Sequence, residues 1–137
     1  MTHELSKPFV LALVENSEYH SWWGDKEIRR YIDTPMSLGQ YVVFCDDDFE
    51  PIGYASWGFP SERQIQKYLI ENVFPVDGFS GGGDTVWIVD FICLGGKSNI
   101  AKSFRYLKDE LKKTELNKAI WLRTETGKLG WFKLKET

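Results

Sequence analysis

Residues 85–96 read Thr85-Val-Trp-Ile-Val-Asp-Phe-Ile-Cys-Leu-Gly-Gly96. A run of β-branched, aromatic and aliphatic residues closed by paired glycines is the pattern of a strand covered on both faces. Such a strand belongs in the middle of a sheet with helices packed on it. One residue breaks the run. Asp90 has apolar neighbours from Val86 to Leu94, and strand alternation sets it on one face with Val86, Ile88 and Ile92. A carboxylate there is expensive unless it is paired or strongly hydrogen-bonded. Either it ends the strand, satisfied by backbone N–H groups or a lysine, or it is kept for a partner with chemistry to do.

After this strand, "SNIAKSFRYLKDELKK" has the spacing of an amphipathic helix. Ser98 is the expected cap, and Ile100, Phe104, Leu107 and Leu111 the expected apolar stripe. "AIWLRTE" and "LGWFKL" then read as two closing strands. Before it, "FSGGGD" reads as a loop, because successive glycines weaken any regular element. "SERQIQKYLIENV" opens with a capping box from Ser61 to Gln64 and continues as a helix. "QYVVFCD" and "PIGYASWG", separated by the turn-rich "DDFEP", read as a strand pair.

At the N-terminal side, Ser6 is the expected cap, and Pro8 the first turn, of a short helix ending at Asn16. "GDKEIRRYID" predicts a second helix that stops before Pro35. The predicted order is α, α, β, β, α, β, α, β, β. It implies an α/β (α+β) fold, a mixed central sheet flanked by helices.

The chain has 137 residues, which suits one domain over 1–137, and no repeat or linker divides it. Apolar residues make up 42%, enough for a core, so wholesale disorder is excluded. A net charge of -3 argues against a general nucleic-acid binder. The charge is uneven, however. Lys97, Lys102, Arg105, Lys108, Lys112, Lys113 and Lys118 face only Asp109, Glu110 and Glu115 along the same stretch, while "CDDDFE" gathers acids. Cys45 and Cys93 show no metal-ligand spacing and read as a reduced pair. "PFVLALV" is too short to span a bilayer and lacks the flanks of a signal peptide, so a soluble, cytoplasmic protein is expected.

Histidine is rare here, only His3 and His20, and His20 lies in "NSEYHSWW". Taken alone, a histidine near a helix end is an ordinary cap or surface residue. Paired with a buried carboxylate it is something else. Imidazole is the usual proton carrier at neutral pH, and a carboxylate against one ring nitrogen fixes the tautomer and stabilises the imidazolium. His20 is the natural partner for Asp90.

Together, "SEYHSWW", "GQYVVFCDDDFEPIGYASWG", "IQKYLIEN" and "VWIVDFICLGG" resemble the RTX-toxin-activating lysine acyltransferases, the haemolysin-activating proteins that fatty-acylate a protoxin. Ser17, His20, Gln40, Tyr41, Asp47, Asp48, Ser56, Trp57, Trp87 and Asp90 fall on that family's pattern. The resemblance implies a fold like the Gcn5-related N-acetyltransferases, with His20 and Asp90 as the catalytic pair. It implies no bound cofactor and no metal. The donor would be acyl-acyl carrier protein, a phosphopantetheine thioester, and the acceptor an internal lysine of a protoxin-like protein.

On this reading Ser17, Trp23, Trp57, Gly95, Gly96 and Lys97 form the donor and substrate contacts. The last three stand where coenzyme-A-dependent acetyltransferases carry a fuller glycine loop, which suits a donor with a single phosphate to grip. Backbone N–H groups near "CLGG" are expected to hold the thioester oxygen, and Trp22, Trp23, Trp57 and Trp87 either to line an acyl groove or to pack in the core. The basic helix is either an ordinary solvated face with charge pairs or a docking face for an acidic carrier protein. A homodimer is a further assembly to test; neither nucleic acid nor a membrane span is expected. Two alternatives stay open: a coenzyme-A-dependent N-acetyltransferase, and a non-catalytic binding protein on the same scaffold.

Overall fold

The structure is a computed structural model that describes residues 3–18, 20–123 and 128–134. Five strands form one sheet in the order β1-β2-β3-β4-β5, with β1 Tyr41–Cys45, β2 Pro51–Gly58, β3 Val86–Cys93, β4 Lys118–Arg123 and β5 Lys128–Lys133. The β1–β2 and β4–β5 pairs are antiparallel and β3–β4 is parallel, so the sheet is mixed as the pattern requires. Among the described residues, five α-helices accompany it: α1 His3–Asn16, α2 Asp25–Ile28, α3 Thr34–Ser37, α4 Glu62–Glu71 and α5 Lys97–Lys112. The chain forms two compact units, Met1–Ser56 with Asp90–Leu107, and Trp57–Val89 with Lys108–Thr137.

In the first unit, Val10, Leu13 and Val14 of α1 meet Ile32, Met36, Tyr54 and Ile92 in one buried cluster. The Asp46 carboxylate closes the β1–β2 hairpin by accepting the N–H groups of Asp48 and Glu50 at 2.9 Å. Asp47 and Asp48 are exposed beside it. Gly53 marks a close approach: a Cβ there would come within 2.5 Å of the Ile92 carbonyl oxygen. Only glycine lets β2 lie so near β3, and the Leu94 N–H completes that contact on the Ile52 carbonyl at 2.8 Å.

In the second unit, Ser61 and Gln64 form the expected capping box, at 2.8 and 3.3 Å, and Asn72 ends α4 in the left-handed region. A 3₁₀ turn, Val76–Ser80, falls where the sequence reads as loop. Its Phe79 packs edge-on against Phe74, centroids 4.9 Å apart, and Tyr68 sits against both Phe74 and Trp87.

Three local expectations are corrected. First, α1 starts at His3, so Ser6 is not its cap and Pro8 lies inside the helix. Burial of Val10, Leu13 and Val14 outweighs the hydrogen bond that Pro8 cannot make. Second, the next helical stretch does not stop before Pro35. A π-turn, Arg29–Asp33, widens the backbone, and α3 carries Pro35 in its first turn. In an α-helix the Tyr31 carbonyl would pair with the N–H of residue 35, which proline lacks. The Tyr54 hydroxyl donates to that carbonyl instead, at 3.1 Å.

Third, Ser98 does not cap α5. Gly95 and Gly96 take φ of +94° and +88°, and the Gly96 carbonyl accepts the first helical bond from Ile100. Ile100 is 42% exposed, and the buried line runs through Ser103, Leu107 and Leu111. Ser103 is small enough for the Cys93 thiol to reach its oxygen at 3.5 Å, so helix and strand approach closely there. Cys45 and Cys93 are both free thiols.

Candidate active site

The segment after α1 descends in three-residue turns. Ser17 N–H bonds to the Val14 carbonyl, His20 N–H to Ser17, and Trp23 N–H to His20, at 3.0–3.2 Å. Side chains three apart in such turns stack over one another. Ser17, His20 and Trp23 therefore share one side, which explains the spacing in "SEYHSWW". The Ser17 hydroxyl lies 2.6 Å from His20 Nδ1, and the Trp23 ring meets the imidazole edge-on with centroids 4.7 Å apart. Trp23 in turn stacks on Tyr31, at 5.1 Å, so the π-turn steadies this wall.

The other ring nitrogen faces β3. His20 Nε2 is 3.2 Å from Asp90 Oδ1, joining residues seventy positions apart. Both side chains are nearly sealed from water, at 7% and 10% exposure. The alternation that set Asp90 on one face of the strand thus aims it at the turn holding His20. With Asp90 ionised, the carboxylate only accepts, which sets the hydrogen on Nε2 and the lone pair on Nδ1. Ser17 then donates to Nδ1. The result is a directed chain, Ser17 to His20 to Asp90.

Burial lifts the Asp90 carboxyl above the usual carboxylate range, and the hydrogen bond and charge of His20 draw it back part of the way. Among the described residues, the buried Asp90 Oδ2 has no hydrogen-bond partner. Tyr54 is wholly buried, and burial together with the nearby charge of Asp90 pushes its phenol far above the ordinary range. It remains a neutral donor, committed to the Tyr31 carbonyl.

Of the residues singled out in the sequence, Ser17, His20, Trp23 and Asp90 come together. Gly95, Gly96 and Lys97 form the exposed turn into α5 in the same unit. Trp57 and Trp87 are buried in the second unit. Trp22 is 68% exposed and walls nothing in the site. The Leu94 N–H, within the stretch expected to hold an oxyanion, is already bonded to Ile52.

Sequence reading missed Tyr31 and Tyr54. The available signal was weak: Tyr54 and Ser56 alternate on one face of "PIGYASWG", and Pro35 leaves a carbonyl in need of a donor. Among the described residues, no group of three or more His, Cys, Asp or Glu side chains is arranged to hold a metal. Nor is any helix there long and apolar enough to cross a membrane.

α5 changes character along its length. In the first unit its exposed cations Lys97, Lys102 and Arg105 have no acidic residue among them and, among the described residues, make no ion pair. Beyond Leu107 two cations are matched, Lys112 at 3.6 Å from Asp109 and Lys113 at 2.9 Å from Glu110.

Residues 8–129 match the RTX toxin acyltransferase family. The chain is 25% identical over 128 residues to the RTX-II toxin-activating lysine-acyltransferase ApxIIC of Actinobacillus pleuropneumoniae, covering 90% of this chain and 77% of that protein. It is 30% identical over 123 residues to the leukotoxin-activating lysine-acyltransferase LktC of a Pasteurella haemolytica-like species (strain 5943B), covering 86% of this chain and 70% of that protein. Among solved structures it is similar to the loading GNATL domain of CurA from Lyngbya majuscula, with a TM-score of 0.60 and 12% identity. That likeness covers 89% of this chain and 61% of that one, and at such identity it shows the fold alone, one like the Gcn5-related N-acetyltransferases.

Proposed function

The chain belongs to the RTX toxin acyltransferase family and is an acyltransferase, and we propose on that premise that it moves a fatty acyl group from acyl-acyl carrier protein to an internal lysine of a toxin-like protein. The observation that carries the reading is the hydrogen-bonded chain Ser17–His20–Asp90 in a member of this family. A lysine amine with pKa near 10.4 is mostly charged at neutral pH, and its attack on a thioester needs a base. A positioned base contributes roughly 10²–10⁴-fold. His20 is that base, and Asp90 holds its tautomer and stabilises the imidazolium formed when the amine proton arrives. With both nitrogens engaged, base catalysis fits this ring better than its acting as the acyl carrier.

The unmatched cations on the first half of α5 favour an acidic carrier protein as donor, and Gly95, Gly96 and Lys97 supply a turn against which a single phosphate can rest. Such a donor puts the reaction in the cytoplasm. Trp23, packed against the imidazole, forms a wall for the acyl thioester.

Incubation of toxin-like acceptors with a series of acyl-carrier-protein thioesters, and with acetyl-coenzyme A in a parallel arm, tests the proposal by intact mass. A fatty acyl increment on the acceptor, absent with His20→Ala and Asp90→Asn, is the expected result. Transfer only from acetyl-coenzyme A would replace the donor assignment, and an increment undiminished in both variants would remove the pair from the chemistry.

A further inference from the structure

Resting on that reading, we infer that the Ser17 hydroxyl is the group that touches the attacking amine and relays its proton to His20. Neither ring nitrogen of His20 faces an incoming substrate. Nε2 is turned to Asp90 at 3.2 Å, Nδ1 is covered by Ser17 Oγ at 2.6 Å, and the residue as a whole is 5% exposed. An amine cannot reach the base without meeting the serine. Ser17 is partly exposed, so it is the member of the chain that meets the outside. Its hydrogen points at Nδ1, and its oxygen lone pairs remain to accept an N–H.

The arrangement superficially matches an activated nucleophile, with base and orienting carboxylate in line. Its position argues for relay instead. Ser17 follows directly on the last residue of α1, Asn16, and its own N–H is spent on the Val14 carbonyl. The C-terminal end of a helix carries partial negative charge, which disfavours an oxyanion built on Ser17 and favours a proton arriving on His20.

The step balances as follows. The amine nitrogen bonds to the thioester carbonyl carbon as the carbonyl π pair moves to oxygen. The N–H proton passes to Ser17 Oγ while the Ser17 proton passes to His20 Nδ1, leaving an imidazolium held by Asp90. The tetrahedral species then collapses, the C–S bond breaks, and the departing thiolate takes the proton back through the same hydroxyl. Thioester and amine have become amide and thiol.

Single-turnover transfer from acyl-acyl carrier protein to a toxin-like acceptor, measured across mixtures of light and heavy water, tests this. With the full chain, the rate should bow downward with deuterium fraction, the sign of two protons moving together. Ser17→Ala should lower the transfer rate by roughly 10²-fold or more with little change in donor KM, and Ser17→Thr, which keeps a hydroxyl, should recover most of it. Unchanged thermal unfolding of Ser17→Ala sets a folding defect aside.

A strictly linear isotope plot, a full rate in Ser17→Ala, or an alkali-labile acyl ester on Ser17 by mass spectrometry would overturn the relay while leaving the acyltransferase reading intact. Absence of any acylated acceptor with the unmodified protein would overturn that reading and the relay with it.

Discussion

The cores of the two units are built to different rules. In the second, Phe74, Phe79 and Trp87 are almost wholly buried; Phe74 meets Phe79 edge to face, Trp87 meets Tyr68 likewise, and among the described residues the buried indole nitrogen of Trp87 has no hydrogen-bond partner. In the first, an aliphatic cluster is crossed by a polar line of Ser17, His20 and Asp90, with Tyr54 and Ser56 buried nearby. Aromatic edge-to-face packing is favourable wherever it occurs. A buried carboxylate with one oxygen unpaired among the described residues is not, and it costs stability. The contrast separates a core packed from aromatic rings from one that carries a buried polar line.

The largest effect expected is on transfer. Asp90→Asn keeps the shape but lets the amide donate to Nε2, so the imidazole holds the wrong tautomer; the transfer rate should fall about 10²–10⁴-fold, read by single-turnover acylation. Stability should move the other way. Because burial raises the Asp90 pKa in the folded state, the folded protein holds that proton more tightly than the unfolded chain. The carboxyl favours folding fully below the ordinary carboxylate range, and that contribution is lost as pH climbs through the raised folded value. Asp90→Asn should therefore be more stable than the parent at neutral pH, with the gap closing in acid, in denaturant titrations at several pH values. A less stable Asp90→Asn at neutral pH would show that the first unit is not built at a cost.

Phe79→Ala should act in the opposite sense. Removing a fully buried ring from the aromatic core should cost about 3–5 kcal/mol of stability, measured by denaturant unfolding, while the surviving folded fraction transfers acyl groups at a normal rate per molecule. Tyr54→Phe is intermediate. It strips the donor from the Tyr31 carbonyl and should cost about 1–3 kcal/mol. It should also slow transfer by several-fold through loosening of Tyr31 and the Trp23 wall stacked on it.

The smallest change expected is at the surface. Reversing Lys102 and Arg105 to Glu should leave thermal unfolding nearly unaltered. It should raise the KM for acyl-acyl carrier protein at low salt, by a margin that shrinks as salt is added. The same reversal at Lys112 and Lys113, already paired with Asp109 and Glu110, should do less.

Much of this could be read before any coordinates. The apolar run in residues 85–96, the capping box at Ser61 and the turn-rich break between β1 and β2 each depend on near neighbours, so their elements fall where the pattern put them. Asp90 was legible because a lone charge in an apolar run has no cheap local explanation, and His20 because histidine is so rare in the chain. What misled was equally local. Pro8 and Pro35 read as helix limits because proline lacks an N–H, and Ile100 read as core because only its helical spacing was visible.

Local sequence thus determined the strands, most of the helices, and the two residues that had to find each other. Tertiary structure decided the rest. It set which imidazole nitrogen faces the carboxylate and which faces Ser17, sent Trp57 and Trp87 into a different core from Trp23, and supplied the Tyr54 hydroxyl that lets a helix run through Pro35. The physical reason is common to all three. Each depends on a donor meeting an acceptor, or a ring meeting a void, from a part of the chain far away in sequence, and only folding selects which distant group arrives.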